Sequence, residues 1–557
     1  MSTREQPVVP RASLLGLPLE LRQQIYHEYF TVDGGYAYNG DSGKLVQANN
    51  QPIELSLRYA CRAIACETKQ YPFSLNTITC STLYRQDWRK QAASVDYITR
   101  HHVTFQHAML ARLKRLVTSE MYENPDPKYS QYLSAIKKDI AKAMARFDRH
   151  PNVPWDQNVF ETLRASREGG SIRSMGMSQA VMSVSPRDGT IFFARAADYL
   201  LRQVAEKHPE DFSHAIEEIL PGWTDSHSVA DFFDLGFDPW AIPSVAEVKD
   251  KWEKLRLSFL WERLENWYQM PWKVDGYTSP EYRYKRKYRF SAASVAIRLL
   301  GHLSQQQRLS ISKIILNEDR YAVGTPECHI LGLIPFFQEN PNLHIEHRVN
   351  LWRNIVPLSG YLNAEIISVE DQGDIQGDYD LPTMHQIYSS WPSEAITNII
   401  MHTSQALKEG LPSRSYTLTF DGDPDLNHST QFFSTIMKPH IAWLTANTDC
   451  VAQGLLLPQE HFNYPFDTRR SVEGICPEEG KTTILRCNFS LQQPWNYQEI
   501  VEDHDALSYQ SLQSLMGSHF EPRIIDVSTD VIDWAKIKQE SFHREEVPNA
   551  IDGESQV

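Results

Sequence analysis

Residues 13–30, SLLGLPLELRQQIYHEYF, spell a helix that is too short, and too narrow in its apolar stripe, to hold itself folded. Pro18 suits the first helical turn, where its missing N–H would have no partner. Glu20 falls in the same turn, where a negative charge complements the helix dipole. Leu21, Ile25 and Tyr29 then recur every four residues, flanked by Arg22, Gln23, Gln24 and Glu28. Such a helix has to be held by other segments.

A second helical pattern spans residues 55–69, LSLRYACRAIACETK, with Leu57, Ala60, Cys61, Ile64 and Ala65 on one face. Small residues there admit the close approach of another helix, and Asn76–Ser81 (NTITCS) reads as a strand that closes the unit. Asp33–Gly43 (DGGYAYNGDSG) reads as a glycine-rich insertion separating the two helices. Two short helices and a strand over about 70 residues make a marginal core. The unit must pack on the rest of the chain or on a partner.

These residues carry a resemblance. L-P-x-E-L-R-x-x-I-Y, as Leu17, Pro18, Glu20, Leu21, Arg22, Ile25 and Tyr26, resembles the opening of the F-box-like domains, including the two-EXR type, that begin many fungal proteins of unknown function. Cys61-Arg62, Glu67-Thr68-Lys69 and Asn76-Thr77 resemble that family's C-R, second E-x-R and closing N-T positions. The second triplet departs from the pattern, because Lys69 keeps the charge and lacks the planar fork of arginine. The resemblance covers residues 13–82. It implies docking onto the Skp adaptor subunit of a cullin-RING ubiquitin ligase, with Leu17, Pro18, Leu21, Ile25 and Tyr29 as the contact face and the remainder of the chain holding an unknown protein target. The same side chains packed inward against the second helix would instead serve the chain's own core. Residues 309–355, with their E-D, P-E-C-H, G-L-I-P-F and L-W-R-N elements, are similar to a segment that recurs in uncharacterised fungal proteins opening with the same motif.

The 557 residues, 41% hydrophobic and 22% charged, allow several domains and exclude a disulfide scaffold, a collagen-like repeat and a wholly disordered chain. Seven cysteines without a C-x-x-C pair, a polar start without an apolar h-region, and no apolar run near 18 residues read as an intracellular protein, cytoplasmic or nuclear, with reduced thiols and no membrane contact. Composition breaks divide the chain into a disordered tail (1–12), the F-box-like module (13–85), a helical region (86–166), a linker or loop (167–190), a helix-rich body (191–361), an acidic α+β region (362–539) and a disordered acidic tail (540–557). Helical stripes run through 129–147 (Tyr132, Ile136, Ile140, Met144) and 245–270 (Leu257, Leu260, Trp261, Leu264, Trp267, Tyr268). Strands are expected at Asn76–Ser81, Ile311–Leu316, Tyr416–Phe420 and Thr482–Cys487. The fold class is helix-rich α+β, with a small amino-terminal F-box-like helical module packed on a larger α+β body.

Charge is unevenly spread: residues 362–557 hold 11 basic and 30 acidic residues, which makes that third a poor surface for nucleic acid. The run Arg283–Arg289 (RYKRKYR) has the composition of an anion-binding patch, and the acidic balance of the chain favours its neutralisation within the molecule. Gly480-Lys481-Thr482-Thr483 fails as a phosphate loop because Ile475 stands where the first glycine is needed. Cys328, His329, His344 and His347 lack paired zinc spacing on both sides. Asp421, Asp423 and Asp425 open like a calcium loop, but Leu426 and Phe432 replace its glycine and bidentate glutamate. With no G-x-S-x-G and no H-E-x-x-H, the expectation is a non-enzymatic protein-interaction protein without metal or cofactor, nucleic acid being an unlikely partner. The alternative is an enzyme or small-molecule binder with a site in residues 190–360.

Overall fold

In the computed structural model the described residues are 13–123, 133, 136–137, 190–255, 282–357, 386–388, 390–452, 484–491 and 524–546. Eleven strands occur among them: β1 (Tyr36–Asn39), β2 (Lys44–Gln47), β3 (Ile78–Ser81), β4 (Tyr282–Arg286), β5 (Lys313–Glu318), β6 (His344–Asn350), β7 (Gln386–Tyr388), β8 (Tyr416–Asp421), β9 (Leu485–Cys487), β10 (Ile524–Asp526) and β11 (Phe542–Glu546). Seven form one sheet in the order β2-β1-β3-β5-β6-β8-β9. The β1–β2 pair is antiparallel, and every other neighbour in this sheet is parallel. Two small antiparallel ladders, β4–β11 and β7–β10, stand apart from it. The fold is therefore helix-rich α+β, with a predominantly parallel main sheet.

From β1 onward the parallel strands advance across the sheet in one direction. Right-handed crossovers then send the connecting helices to the same side. The burial pattern agrees, because β5 alternates strictly, with Ile314, Leu316 and Glu318 buried and Lys313, Ile315 and Asn317 only half-buried. His344, Glu346 and Arg348 of β6 share the half-buried side. Parallel sheets are ordinarily covered on both faces and read as continuous apolar runs. Here the period-2 alternation survives in β5 and β6, whose second face is only half-buried. The helix Ala292–His302 lies against β3 and β5, and most of its residues are buried.

The amino-terminal region enters the sheet instead of forming a separate helical bundle. Asp33–Gly43, expected as an insertion, contains β1 and the turn into β2. Gly35 sits at φ +69°, and a Cβ on it would lie 2.3 Å from the Thr77 carbonyl oxygen, so glycine is required where β1 meets β3. The expected helix over 55–69 is broken: Ser56–Ala60 and Arg62–Glu67 flank Cys61, which is fully extended. The break turns Ile64 into a small core with Tyr26 and Phe30, against which Leu57 and Cys61 pack, while Ala60 is exposed.

Strands at 78–81, 313–318, 416–421 and 485–487 overlap all four expected ones. Residues 540–546 correct the expected disordered tail, because Phe542–Glu546 pairs residue for residue with β4. Of the stripe in 129–147, Ile136 is buried and the other named positions lie outside the described residues. The helix Val245–Lys254 covers the start of the 245–270 pattern, and its aromatic positions also lie outside. No described helix is long and apolar enough to cross a membrane.

Asn76 fastens the module to the sheet. Its Nδ2 donates to the carbonyls of Phe30 at 2.7 Å and Pro72 at 3.0 Å, its Oδ1 accepts from the Val32 N–H at 2.8 Å, and the residue is 2% exposed. Asn76→Ala strands two buried backbone carbonyls and a part-buried N–H, so urea unfolding is expected to show a loss of about 3 kcal/mol. A loss under about 1 kcal/mol would mean that the sheet holds the module without this side chain.

Candidate functional site

The helix Leu19–Phe30 turns about 100° per residue, so Arg22, Tyr26, Tyr29 and Phe30 share one flank and Leu21 and Ile25 another. The structure buries the first flank. Tyr26 is 0% and Phe30 1% exposed, whereas Leu17, Leu21 and Ile25 are 37%, 45% and 40% exposed. Inward packing of the Leu21 and Ile25 stripe is thereby ruled out. Pro18 is exposed as well, and the same segment exposes Leu15 and Leu19. Tyr29 does not join this surface: it is half-buried, its hydroxyl donates to Glu54 Oε1 at 3.1 Å and accepts from the Leu57 N–H at 3.3 Å.

A polar network fixes the orientation. Arg22 donates from Nε to Glu67 Oε2 at 3.0 Å and from a terminal nitrogen to Glu67 Oε1 at 2.8 Å, a two-point fork on a carboxylate. Tyr26 adds its hydroxyl to Glu67 Oε2 at 2.8 Å. The other guanidinium nitrogen reaches back to the Leu17 carbonyl at 2.6 Å, tying the approach segment to the helix. Arg22, and then the Tyr26 hydroxyl, hold the Glu67 carboxyl below the usual carboxylate range. The arginine of the first E-x-R thus pairs with the glutamate of the second triplet. Lys69, where the pattern departs, contacts Gln306 on the body. No fork is needed there.

A second constellation lies between sheet and helices. Glu318, at the end of β5, accepts from the N–H groups of Ala292 and Ala293 at 3.0 and 3.1 Å, occupying a helix amino terminus from inside. Burial pushes its carboxyl up to about 7 despite those donors. His347 Nε2 is 3.8 Å from Glu318 Oε1, and its Nδ1 pairs with the Tyr416 hydroxyl at 2.8 Å. Burial lowers His347 to about 4, so both groups are driven toward their neutral forms and the contact is not an ion pair. His329 accepts at Nδ1 from Ser291 Oγ at 2.7 Å and donates from Nε2 to the Gly324 carbonyl at 2.7 Å. Ser291 and His329 are 0% and 1% exposed. The pair is buried, and the far nitrogen of the histidine meets a main-chain carbonyl instead of a carboxylate, the arrangement of a structural lock.

The L-W-R-N element of residues 309–355 ties the turn after β6 to the end of β5 and to the segment after β8. Asn354 Nδ2 donates to the carbonyls of Glu318 at 3.1 Å and Arg320 at 2.9 Å, and Trp352 Nε1 donates to the Gly422 carbonyl at 3.1 Å and Ser429 Oγ at 2.7 Å. His344 and His347 point to opposite faces of β6, apart as ligands. No group of three or more His, Cys, Asp or Glu among the described residues has the arrangement of a metal site. Asp425 caps the helix Leu426–Ala452 by accepting from the His428 N–H, and Asp421 accepts from the Asn488 side chain and the Asp423 N–H, so these two aspartates serve local structure. The Gly480 loop lies outside the described residues. Sequence reading names His347 only within a candidate zinc cluster and Glu318 only within the E-D element, and pairs neither with the other. A signal for burial of Glu318 is its place as the acidic residue closing an Ile-rich strand, KIILNE.

The folded-state carboxyl of Glu318 lies above its ordinary range, so its contribution to stability is present at low pH and is lost as pH rises toward and through 7. Glu318→Gln abolishes this dependence and leaves the opposite one of His347 unchanged. The stability of the variant relative to wild type is expected to improve by roughly 2–3 kcal/mol between pH 5 and pH 8. A pH-independent difference in denaturant titrations would refute the assignment. No family model matches the chain, and searches of curated proteins and of solved structures found no match.

Proposed function

We propose that this chain is a non-enzymatic protein-interaction protein that docks through the apolar flank of its first helix. The observation that carries this reading is the exposure of Leu17, just before the helix, and of Leu21 and Ile25 on a helix whose other flank is locked by Arg22, Tyr26 and Phe30. Large apolar side chains grouped on a rigid surface mark interaction sites. Nothing in the interior of the module requires them. Rigidity matters because ordering a docking helix at the moment of binding would consume affinity.

The partner that fits best is the Skp adaptor subunit of a cullin-RING ubiquitin ligase. The L-P-x-E-L-R-x-x-I-Y resemblance supports this, as does the agreement of four of the five implied contact residues, Leu17, Pro18, Leu21 and Ile25, with the exposed surface. On this reading the sheet body presents a protein target. Tyr29 drops out of the contact face because its hydroxyl is engaged within the module.

Because Leu21 and Ile25 are solvent-exposed, Leu21→Asp and Ile25→Asp are expected to change stability by no more than about 0.5 kcal/mol. Co-purification with the Skp subunit is expected from wild type and is expected to fall at least tenfold for the double variant. Equal recovery of the subunit by both, or by neither, would reject the adaptor assignment.

A further inference from the structure

The basic run that the sequence offered as an anion patch leads to a different site at the carboxyl ends of β5 and β6. Arg320 follows β5, Arg353 follows β6 and Arg289 follows β4. All three turn toward Glu540, the penultimate residue of the helix Trp534–Ser541. The Glu540 carboxylate accepts from Arg353 at 2.9 and 3.2 Å and from Arg320, while Arg289 donates to the Glu540 backbone carbonyl. The loop carrying Arg320 and the turn carrying Arg353 are pinned together by the Asn354 side chain. Carboxyl ends of parallel strands are where α/β sheets hold their ligands.

The occupant matches this site imperfectly. A carboxylate offers one charge and two oxygens. It satisfies Arg320 and Arg353 and leaves the third guanidinium to bond a main-chain oxygen. A second acid, Asp319, lies 3.4 Å from Arg320 and is engaged by the Thr82 hydroxyl at 2.6 Å. A phosphate monoester carries nearly twice the charge and three equivalent acceptor oxygens, and guanidinium forks match its geometry. Solvent reaches the site, because the side chains of Arg353 and Glu540 are 33% and 29% exposed.

We propose that Arg289, Arg320 and Arg353 form a binding site for a phosphate monoester, and that Glu540 occupies it as a built-in competitor. Glu540 stands two residues before β11, whose ladder with β4 includes the Lys285–Glu545 contact at 2.8 Å. An entering phosphate therefore displaces Glu540 and loosens the carboxyl-terminal strand. This site is separate from the apolar flank of the first helix and does not depend on the adaptor reading.

Calorimetric titration of the full chain at matched ionic strength tests it, with inorganic phosphate in one arm and a phosphoserine peptide beside its unphosphorylated form in another. Glu540→Gln is expected to bind phosphate at least tenfold more tightly than wild type, and the added Arg353→Ala is expected to remove that gain. Tighter binding of the phosphopeptide than of free phosphate would place the monoester on a polypeptide, and equal affinities would identify free phosphate as sufficient. No gain on Glu540→Gln, or a gain that survives Arg353→Ala, overturns the proposal. Should Glu540→Gln misfold, hydrogen exchange on wild type decides: phosphate must accelerate exchange across Phe542–Glu546 relative to chloride, and unchanged rates overturn it.

Discussion

The parallel pairing of β3 with β5 holds the molecule together. It joins residues 78–81 to residues 314–317 and thereby places the amino-terminal hairpin at one edge of a sheet whose remaining strands come from the body. Closing a loop of more than two hundred residues costs little more than closing a shorter one, because the entropy grows only logarithmically with length. The short ladder is then backed by apolar burial, with Ile78 and Cys80 joining Ile314 and Leu316 in the main core. Without this register the helix Leu19–Phe30 would rest on the small cluster of Tyr26, Phe30 and Ile64 alone.

Polar groups do much of the positioning between these layers. Glu318 and Asn354 tie strand ends to a helix amino terminus and a neighbouring loop, and Asn76 ties the first helix to β3. Each is buried with its hydrogen-bonding capacity matched to backbone groups. That is the condition under which a buried polar residue specifies geometry without a large penalty. The glutamate is the exception. Its burial holds it partly protonated near neutrality, and this feature makes the sheet and helix contact sensitive to pH.

Charge complementarity explains the fate of the basic run. Lys285 meets Glu545, so internal neutralisation accounts for that residue, whereas Arg289 reaches neutral main-chain carbonyls of Glu540 and Lys287. The run was legible as an anion patch. What composition left open was that Arg320 and Arg353, distant in sequence, would be the ones to grip a carboxylate. The expected free acidic tail likewise became a strand over Phe542–Glu546, because a basic edge was available to pair with it.

The sequence alone determined the helix beginning at the L-P motif, four strand segments and the helix-rich α+β class, since these rest on local periodicity, turn chemistry and β-branched runs. It placed Leu21, Ile25 and Tyr29 on one stripe, yet periodicity records spacing and not which flank finds a neighbour. Tertiary structure decided that. Arg22 found Glu67 across 45 residues, which turned Tyr26 and Phe30 inward and left Leu21 and Ile25 outside. The hairpin within Asp33–Gln47, the break at Cys61 and the seating of Glu318 on a helix amino terminus were decided in the same way. Each depends on a partner supplied by a remote part of the chain, and no local pattern encodes where that partner will lie.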